Sequence, residues 1–268
     1  MMEIRSRDNE RIKLARRVRD GREPGWVFVE GLRLAEECLR SGLEITVAFY
    51  RATDEPRQQR LLDALSARGV PCHETAPAVL ESLGDTVQGQ GIVLLARRPA
   101  PALLERSGLL LGLDRVQDPG NLGTLLRTAE AAGVDAIVLL PGCADVYSPK
   151  VLRASMGAAF RLPVLPLAAA DDLFQWTDRL QVSVVAAAGS GECDYDAHDW
   201  SAPTLLLLGN EANGVAADLL ARCDRRLRIP LARGVESLNV AAAGAVMLFE
   251  AARQRRHSAV EQGTQGGR

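Results

Sequence analysis

The sequence predicts an α/β protein of two domains, a small one followed by a larger one built on a parallel sheet. Three observations carry the prediction. Strand-like and helix-like segments alternate along most of the 268 residues. In the second half the strand-like segments, residues 109–113, 136–140, 182–187 and 205–208, are continuous apolar runs, the pattern of strands buried on both faces beneath helices. Between the halves, Arg97-Arg98-Pro99-Ala100-Pro101 breaks the alternation and places a linker at residues 99–106. The expected domains are therefore 1–98 and 107–258. Residues 259–268 read as a disordered tail, since Gly263-Thr264-Gln265-Gly266-Gly267-Arg268 is low in complexity.

In the first domain, residues 10–19 read as a helix, 26–29 as a strand, 32–40 as a helix and 45–49 as a strand. A helix over 56–68, a short turn of chain at 76–82 and a strand over 91–96 follow. In the second domain, the strand 109–113 leads through a turn at Pro119 and Gly120 into a helix that Asn121 can cap and Gly133 can end in a left-handed conformation. Leu122, Leu125, Leu126 and Ala129, spaced by three and four, form its buried stripe. The strand 205–208 runs into the polar loop 209–214 and then a helix. Near the end, Ser237 or Asn239 can cap a helix whose first two turns are nearly all Ala, Val and Gly, so another backbone can pass close to it.

Composition narrows the function. With 47% apolar and 25% charged residues the chain is globular, which excludes disordered, collagen-like and coiled-coil classes. The longest apolar runs, 204–209 and 240–249, fall short of the ~20 residues a membrane span needs, and the charged N-terminus lacks a secretory apolar stretch. Five widely spaced cysteines with no C-x-x-C pair fit reduced thiols in a cytoplasm. No G-x-G-x-x-G follows a strand, no P-loop is present, and the three histidines stand apart from any metal-ligand pattern, which disfavours NAD, ATP and metal chemistry. The net charge of −2 argues against a uniformly basic nucleic-acid binder. The first 22 residues nevertheless hold eight basic side chains against four acidic ones. Arg11, Lys13, Arg16, Arg17 and Arg19 among them form either a face that tracks nucleic-acid phosphates or an ordinary solvated face.

Candidate chemistry sits in three segments. Arg127 lies just off the buried stripe of its helix, where it either reaches the loop at the strand end or pairs with Glu130 one turn on. Glu211 stands in a loop at the carboxyl end of a parallel strand, where open α/β sheets hold ligands; alternatively it complements a helix dipole. Gly209 and Gly214 permit close backbone approach there. The small residues after Ser237 and Asn239 fit either a ligand or tight helix packing.

Taken together, NLGTLLRTAEAAG (121–133), LLLLGNEANG (205–214) and IPLARGVESLNVAAA (229–243) resemble the three signature motifs of the TrmH (SpoU) family, within the SPOUT class of S-adenosylmethionine-dependent RNA methyltransferases. The resemblance covers residues 107–256. FVEGLRLAEE (28–37) further resembles the start of the family's substrate-binding domain, a ribosomal-protein-like α/β fold. The resemblance implies a C-terminal SPOUT parallel-sheet domain with a trefoil knot, a bent cofactor held there by backbone groups, and a homodimer whose active site draws on both subunits. Carried over by motif position, Gly209, Ile229 and Leu238 are the cofactor contacts, with Asn210, Pro230 and Ala232 in the same loops. Arg127 is the implied catalytic arginine, and Asn121, Glu211, Ser237 and Asn239 orient it and the ribose.

The implied reaction transfers the sulfonium methyl of S-adenosylmethionine to a ribose 2′-hydroxyl of RNA. The family proposes the arginine as base, yet a guanidinium stays protonated in proteins, so Arg127 is read as orienting the hydroxyl and stabilising developing negative charge. The expected substrate is ribosomal RNA of the 23S type; a tRNA target, a resistance methylase and a non-catalytic RNA-binding module are the alternatives. RNA and a second subunit are the expected partners, with no metal, no membrane and a cytoplasmic location.

Overall fold

In the computed structural model of the protein, residues 3–84, 91–101 and 108–265 are described, with side chains to 258. The chain divides into two compact units, Met1–Ala100 with Asp145–Arg161, and Pro101–Ala144 with Leu162–Arg268. The predicted linker lies partly outside the described residues, at 102–106.

The first unit opens with α1 (Glu10–Arg19), β1 (Trp26–Glu30), α2 (Leu32–Ser41) and β2 (Ile45–Tyr50). It continues through α3 (Pro56–Ala67), β3 (Cys72–Glu74), α4 (Pro77–Glu81) and β4 (Ile92–Arg97). The sheet order is β1-β4-β2-β3, with β4 antiparallel to both neighbours and β3 parallel to β2. Ile12, Ala15 and Val18, at helical spacing on α1, bury against Phe28, Phe49 and Leu95 of the sheet. The segment read as a turn at 76–82 holds the short helix α4, and β3 was absent from the expected elements: three residues of mixed polarity carry too little period-2 signal.

The second unit begins with β5 (Leu109–Leu113), α5 (Pro119–Ala132) and β6 (Ala136–Leu139). The chain then returns to the first unit for α6 (Pro149–Ser155). Arg161 pairs there with Glu37 at 2.6 Å, Arg153 approaches the buried Glu30 at 3.9 Å, and Arg98 pairs with Asp145. This return splits the predicted 107–258 domain. Helical periodicity reveals a buried face but not the body that buries it.

The second unit resumes with β7 (Val164–Pro166), α7 (Asp171–Leu180), β8 (Ser183–Ala187) and β9 (Cys193–Asp194). It ends with β10 (Thr204–Leu208), α8 (Ala217–Leu220), β11 (Arg225–Arg228) and α9 (Val240–Gln265). Its seven strands lie in the order β7-β6-β5-β10-β8-β11-β9, and every pairing is parallel. The apolar runs of β5 and β10 are buried at every position, as their composition requires. β11 escaped the sequence reading because Arg225-Arg226-Leu227-Arg228 buries only Leu227.

Two further expectations are corrected. α5 starts at Pro119, and Asp118 rather than Asn121 is its N-cap, accepting the Asn121 amide at 2.7 Å. Proline suits the first helical position because that turn needs no amide donor, and Asp118 takes the capping bond. The Asn121 side chain is thereby free for other partners. Second, α9 runs to Gln265 where a disordered tail was expected from 259, since Ala259-Val260-Glu261-Gln262 contains no helix breaker; residues 266–268 lie outside the described residues. The tight packing expected of the small residues is present: a Cβ on Gly244 would lie 2.5 Å from Leu125 of α5 and 2.8 Å from Leu208 of β10. Among the described residues no helix is long and apolar enough to cross a membrane.

Candidate active site

The carboxyl ends of β8, β10 and β11 open onto one cavity of about 230 Å³. Parallel strands end on the same side of a sheet, so their following loops converge there. Gly209, Asn210 and Glu211 form one wall, Ile229 a second and Ser237 and Leu238 a third. Val240, Ala243 and Met247 of α9 complete it, their small or unbranched side chains leaving the space open.

The Gly209 loop folds back on itself. The Asn210 amide donates to the Gly214 carbonyl at 3.0 Å, and the Gly214 amide returns a bond to the Asn210 carbonyl at 2.9 Å. The Asn210 Oδ1 accepts the amides of Ala212 and Asn213 at 3.0 and 3.2 Å. A side chain on Gly209 has no room, because its Cβ would lie 2.0 Å from the backbone of Gly214 and Val215.

Polar side chains from the three motifs join in one chain of hydrogen bonds. Asn239 Nδ2 donates to Asn121 Oδ1 at 2.9 Å, and Asn121 Nδ2 donates to Glu211 Oε1 at 3.2 Å. Asn239 Oδ1 also accepts the amides of Ala241 and Ala242, so this residue, not Ser237, caps α9. Glu211 Oε1 further accepts the Asp118 amide at 3.1 Å, which brings the carboxylate to the amino end of α5. Partial burial pushes the Glu211 carboxyl up; its own amide, the Asp118 amide, the Asn121 side chain and the Gln117 amide outweigh that and hold it below its ordinary value.

Arg127 lies on the same helix as Asn121, exposed, and makes no hydrogen bond or ion pair among the described residues, so the pairing with Glu130 does not form. Ser237 is exposed on the cavity wall. Of the six cofactor candidates, Gly209, Asn210, Ile229 and Leu238 line the cavity, while Pro230 and Ala232 occupy the same loop outside its wall. Sequence reading missed Ala187, Ala188 and Gly189 at the end of β8 and just past it, although a run of small residues at a parallel strand's carboxyl end is the same signal that drew attention to Gly209. It also missed Glu236, a second carboxylate on the wall.

In the first unit, most of the α1 cations are already engaged. Lys13 pairs with Glu10 at 2.9 Å and Arg17 with Glu23 at 2.6 Å. Arg16 donates to the Ser82 hydroxyl at 2.9 Å, and Arg19 to the carbonyls of Ser82 and Leu83 at 3.2 and 3.3 Å, which pins α1 to the turn after α4. Arg11 alone of the five is exposed with a side chain that makes no hydrogen bond or ion pair among the described residues.

Residues 108–249 match the SpoU rRNA Methylase family, and residues 28–102 match the domain described as RNA 2′-O ribose methyltransferase substrate binding. Over 255 residues the chain is 33% identical to the 23S rRNA (guanosine(2553)-2′-O)-methyltransferase RlmP of Bacillus subtilis, covering 93% of this chain and 98% of that protein. It is 34% identical over 245 residues to the 23S rRNA (guanosine-2′-O-)-methyltransferase RlmB of Pseudomonas aeruginosa, covering 86% and 97%. Among solved structures, the AdoMet-bound rRNA methyltransferase of Sinorhizobium meliloti superposes with a TM-score of 0.84 at 34% identity, covering 96% of this chain and 98% of that one. AviRb of Streptomyces viridochromogenes in complex with AdoMet gives a TM-score of 0.82 at 29% identity over 92% and 98%. Two domains matched in order, near full-length relatives and three motifs hydrogen-bonded around one cavity agree: the chain belongs to the SpoU rRNA methylase family.

Proposed function

We propose that the protein methylates a ribose 2′-hydroxyl of ribosomal RNA, of the 23S type that its relatives' names specify, and that the cavity at the strand ends holds S-adenosylmethionine. The Asn239-Asn121-Glu211 chain of hydrogen bonds carries the reading, since it ties residues 118 positions apart in sequence to a carboxylate on the cavity wall. The cavity suits the cofactor. Leu227, Ile229, Leu238 and Met247 offer apolar walls to a nucleoside, and the only ionisable lining side chains, among the described residues, are the carboxylates Glu211 and Glu236, which favour a cation. When bound, S-adenosylmethionine supplies a methyl group activated on a positively charged sulfur.

The chain's own residues supply position and charge. The Gly209 loop fixes one wall of the site by its backbone, and Glu211 holds Asn121 and the start of α5 against it. Arg127, whose guanidinium has no partner among the described residues, orients the ribose hydroxyl and its neighbouring phosphate and stabilises the negative charge that develops on the hydroxyl oxygen. A homodimer completes the site in this reading. Its support is Val235, Val246 and Phe249, exposed apolar residues of the last loop and α9 that lie outside the cavity wall. A trefoil knot accounts for the strand order, in which β10 returns between β5 and β8 and β11 then enters between β8 and β9. A cytoplasmic location goes with this reading, through the bacterial relatives named for 23S rRNA. Mapping 2′-O-methylation across ribosomal and transfer RNA in cells with and without the protein tests the reading. Loss of one 23S-type site is expected; loss confined to tRNA, or no loss with cofactor still bound, overturns it.

A further inference from the structure

We propose that Asp114 is a positioning residue for cofactor binding, clamping both ends of the loop that runs from Gly209 to Ala216; the inference rests on assigning the cavity to the cofactor. Asp114 follows β5 and lies outside the cavity wall. Its carboxylate is 5% exposed, and a carboxylate so buried is costly unless it is both paired and hydrogen-bonded. It is satisfied three ways. Arg115 Nε donates to Oδ1 at 2.9 Å and Arg115 Nη2 to Oδ2 at 3.0 Å, a two-pronged pair, and the Ala216 amide donates to Oδ2 at 2.9 Å.

The Ala216 bond fixes the far end of the loop. The near end is fixed through the same pair, because the Arg115 carbonyl accepts Asn210 Nδ2 at 2.9 Å. To reach back to its neighbour's carboxylate while aiming that carbonyl at Asn210, Arg115 takes a φ of 53°, in the left-handed region. A residue other than glycine is strained in that conformation. Gly142, itself at a φ of 90°, gives the arginine stem room: a Cβ there would meet Arg115 Cγ at 3.0 Å. Gly or Asn would serve a bare left-handed turn at less strain. An arginine there is explained by the Asp114 carboxylate, and the carboxylate by the two loop ends that it holds. Between those ends stand Gly209, Asn210, Glu211, Ala212 and Gly214, all on the cavity wall.

The full-length protein is titrated with S-adenosylmethionine by calorimetry, and amide exchange is followed on the same samples. Asp114→Asn should weaken affinity about tenfold or more, the effect of losing a charge-assisted bond. The amides of Ala212, Asn213 and Gly214 should exchange faster while those of Leu111 and Leu206 in the central strands keep their protection. Asn210→Ala cuts the clamp at its other end and should weaken affinity comparably, with the double variant no worse than the weaker single one. Should Asp114→Asn fail to fold, Arg115→Gly decides: it keeps the left-handed turn, removes the two-pronged pair, leaves every wall residue in place and should weaken affinity comparably. Affinity within about twofold of wild type in any of these folded variants, or loss of protection at Leu111 and Leu206 together with the loop, overturns the proposal. Leu238→Arg separates the two levels: if this wall substitution leaves binding intact, the cavity assignment fails and the clamp with it. If it abolishes binding while Asp114→Asn does not, the clamp alone fails.

Discussion

Gly209→Ala adds one methyl group, and its effect can be worked from distances. The new Cβ would lie 2.0 Å from the Gly214 carbonyl carbon and Val215 nitrogen and 2.3 Å from the Gly214 oxygen, all of them backbone. Non-bonded carbons settle about 3.5–4.0 Å apart, so the two sides of the loop must part by about 1.5 Å. That separation removes the reciprocal Asn210–Gly214 backbone bonds of 3.0 and 2.9 Å. At about 1 kcal/mol net each, stability should fall by about 2 kcal/mol. For a chain of this size each kcal/mol lowers the melting temperature by about 2–4 °C. Function should suffer more than folding, because Gly209, Asn210 and Glu211 all face the cavity and a shift of about 1 Å in a catalytic group can cost about a hundredfold in rate. Scanning calorimetry, cofactor titration and transfer of labelled methyl to ribosomal RNA measure the three effects. A folded Gly209→Ala protein with cofactor affinity and transfer rate within about twofold of wild type would refute the argument that this loop leaves no space for a side chain.

Arg127→Ala should cut methyl transfer by about a hundredfold or more while leaving cofactor affinity nearly unchanged, measured by single-turnover transfer and calorimetry; loss of both together would place Arg127 in the cofactor site instead. Glu211 predicts a pH signature. Its folded carboxyl lies below the unfolded value of about 4.3, so its contribution to stability is full above that pH and disappears as pH falls through the folded value. The gap between urea melts of wild type and Glu211→Gln should therefore narrow as pH falls below the unfolded value of about 4.3, and a gap that stays constant to acid would contradict the hydrogen bonds assigned to the carboxylate. A fragment ending at Ala100 lacks Arg153 and Arg161, the partners of Glu30 and Glu37, and should melt lower than the same fragment supplied with a peptide of residues 145–161. No rise in melting temperature on adding that peptide would mean that the segment contributes nothing to the first unit.

Much of the fold was legible because burial on both faces leaves a direct mark: β5, β10 and the stripe of α5 fall where their apolar residues place them. Short and edge elements left none. β3 and β11 are held by their neighbours' backbones, and neither composition nor period marks them. The candidate site was legible as motifs and only partly as geometry. Gly209, Asn210, Ile229 and Leu238 do meet at a cavity. Asn121, however, is freed to bridge Glu211 and Asn239 only because Asp118 takes over the capping, a competition between two good N-cap residues that spacing cannot settle. The α1 cations show what a charge count leaves out. A local charge balance counts Arg16 and Arg19 as available, whereas the fold commits them to Ser82 and Leu83.

The return of residues 145–161 to the first unit bears on the order of events during synthesis. Strands β1 to β4 leave the ribosome early, yet the piece that supplies Arg153 and Arg161 comes only after β5, α5 and β6 have been made. At about 5–20 residues per second the interval from Ala100 to Arg161 lasts roughly 3–12 s, long against the folding of a small sheet. The four strands and the core cluster of the first unit are all made before Ala100, so they can pack while the start of the second unit is still emerging, and α6 joins them last; a pause or truncation within residues 101–161 would leave the first unit without Arg153 and Arg161.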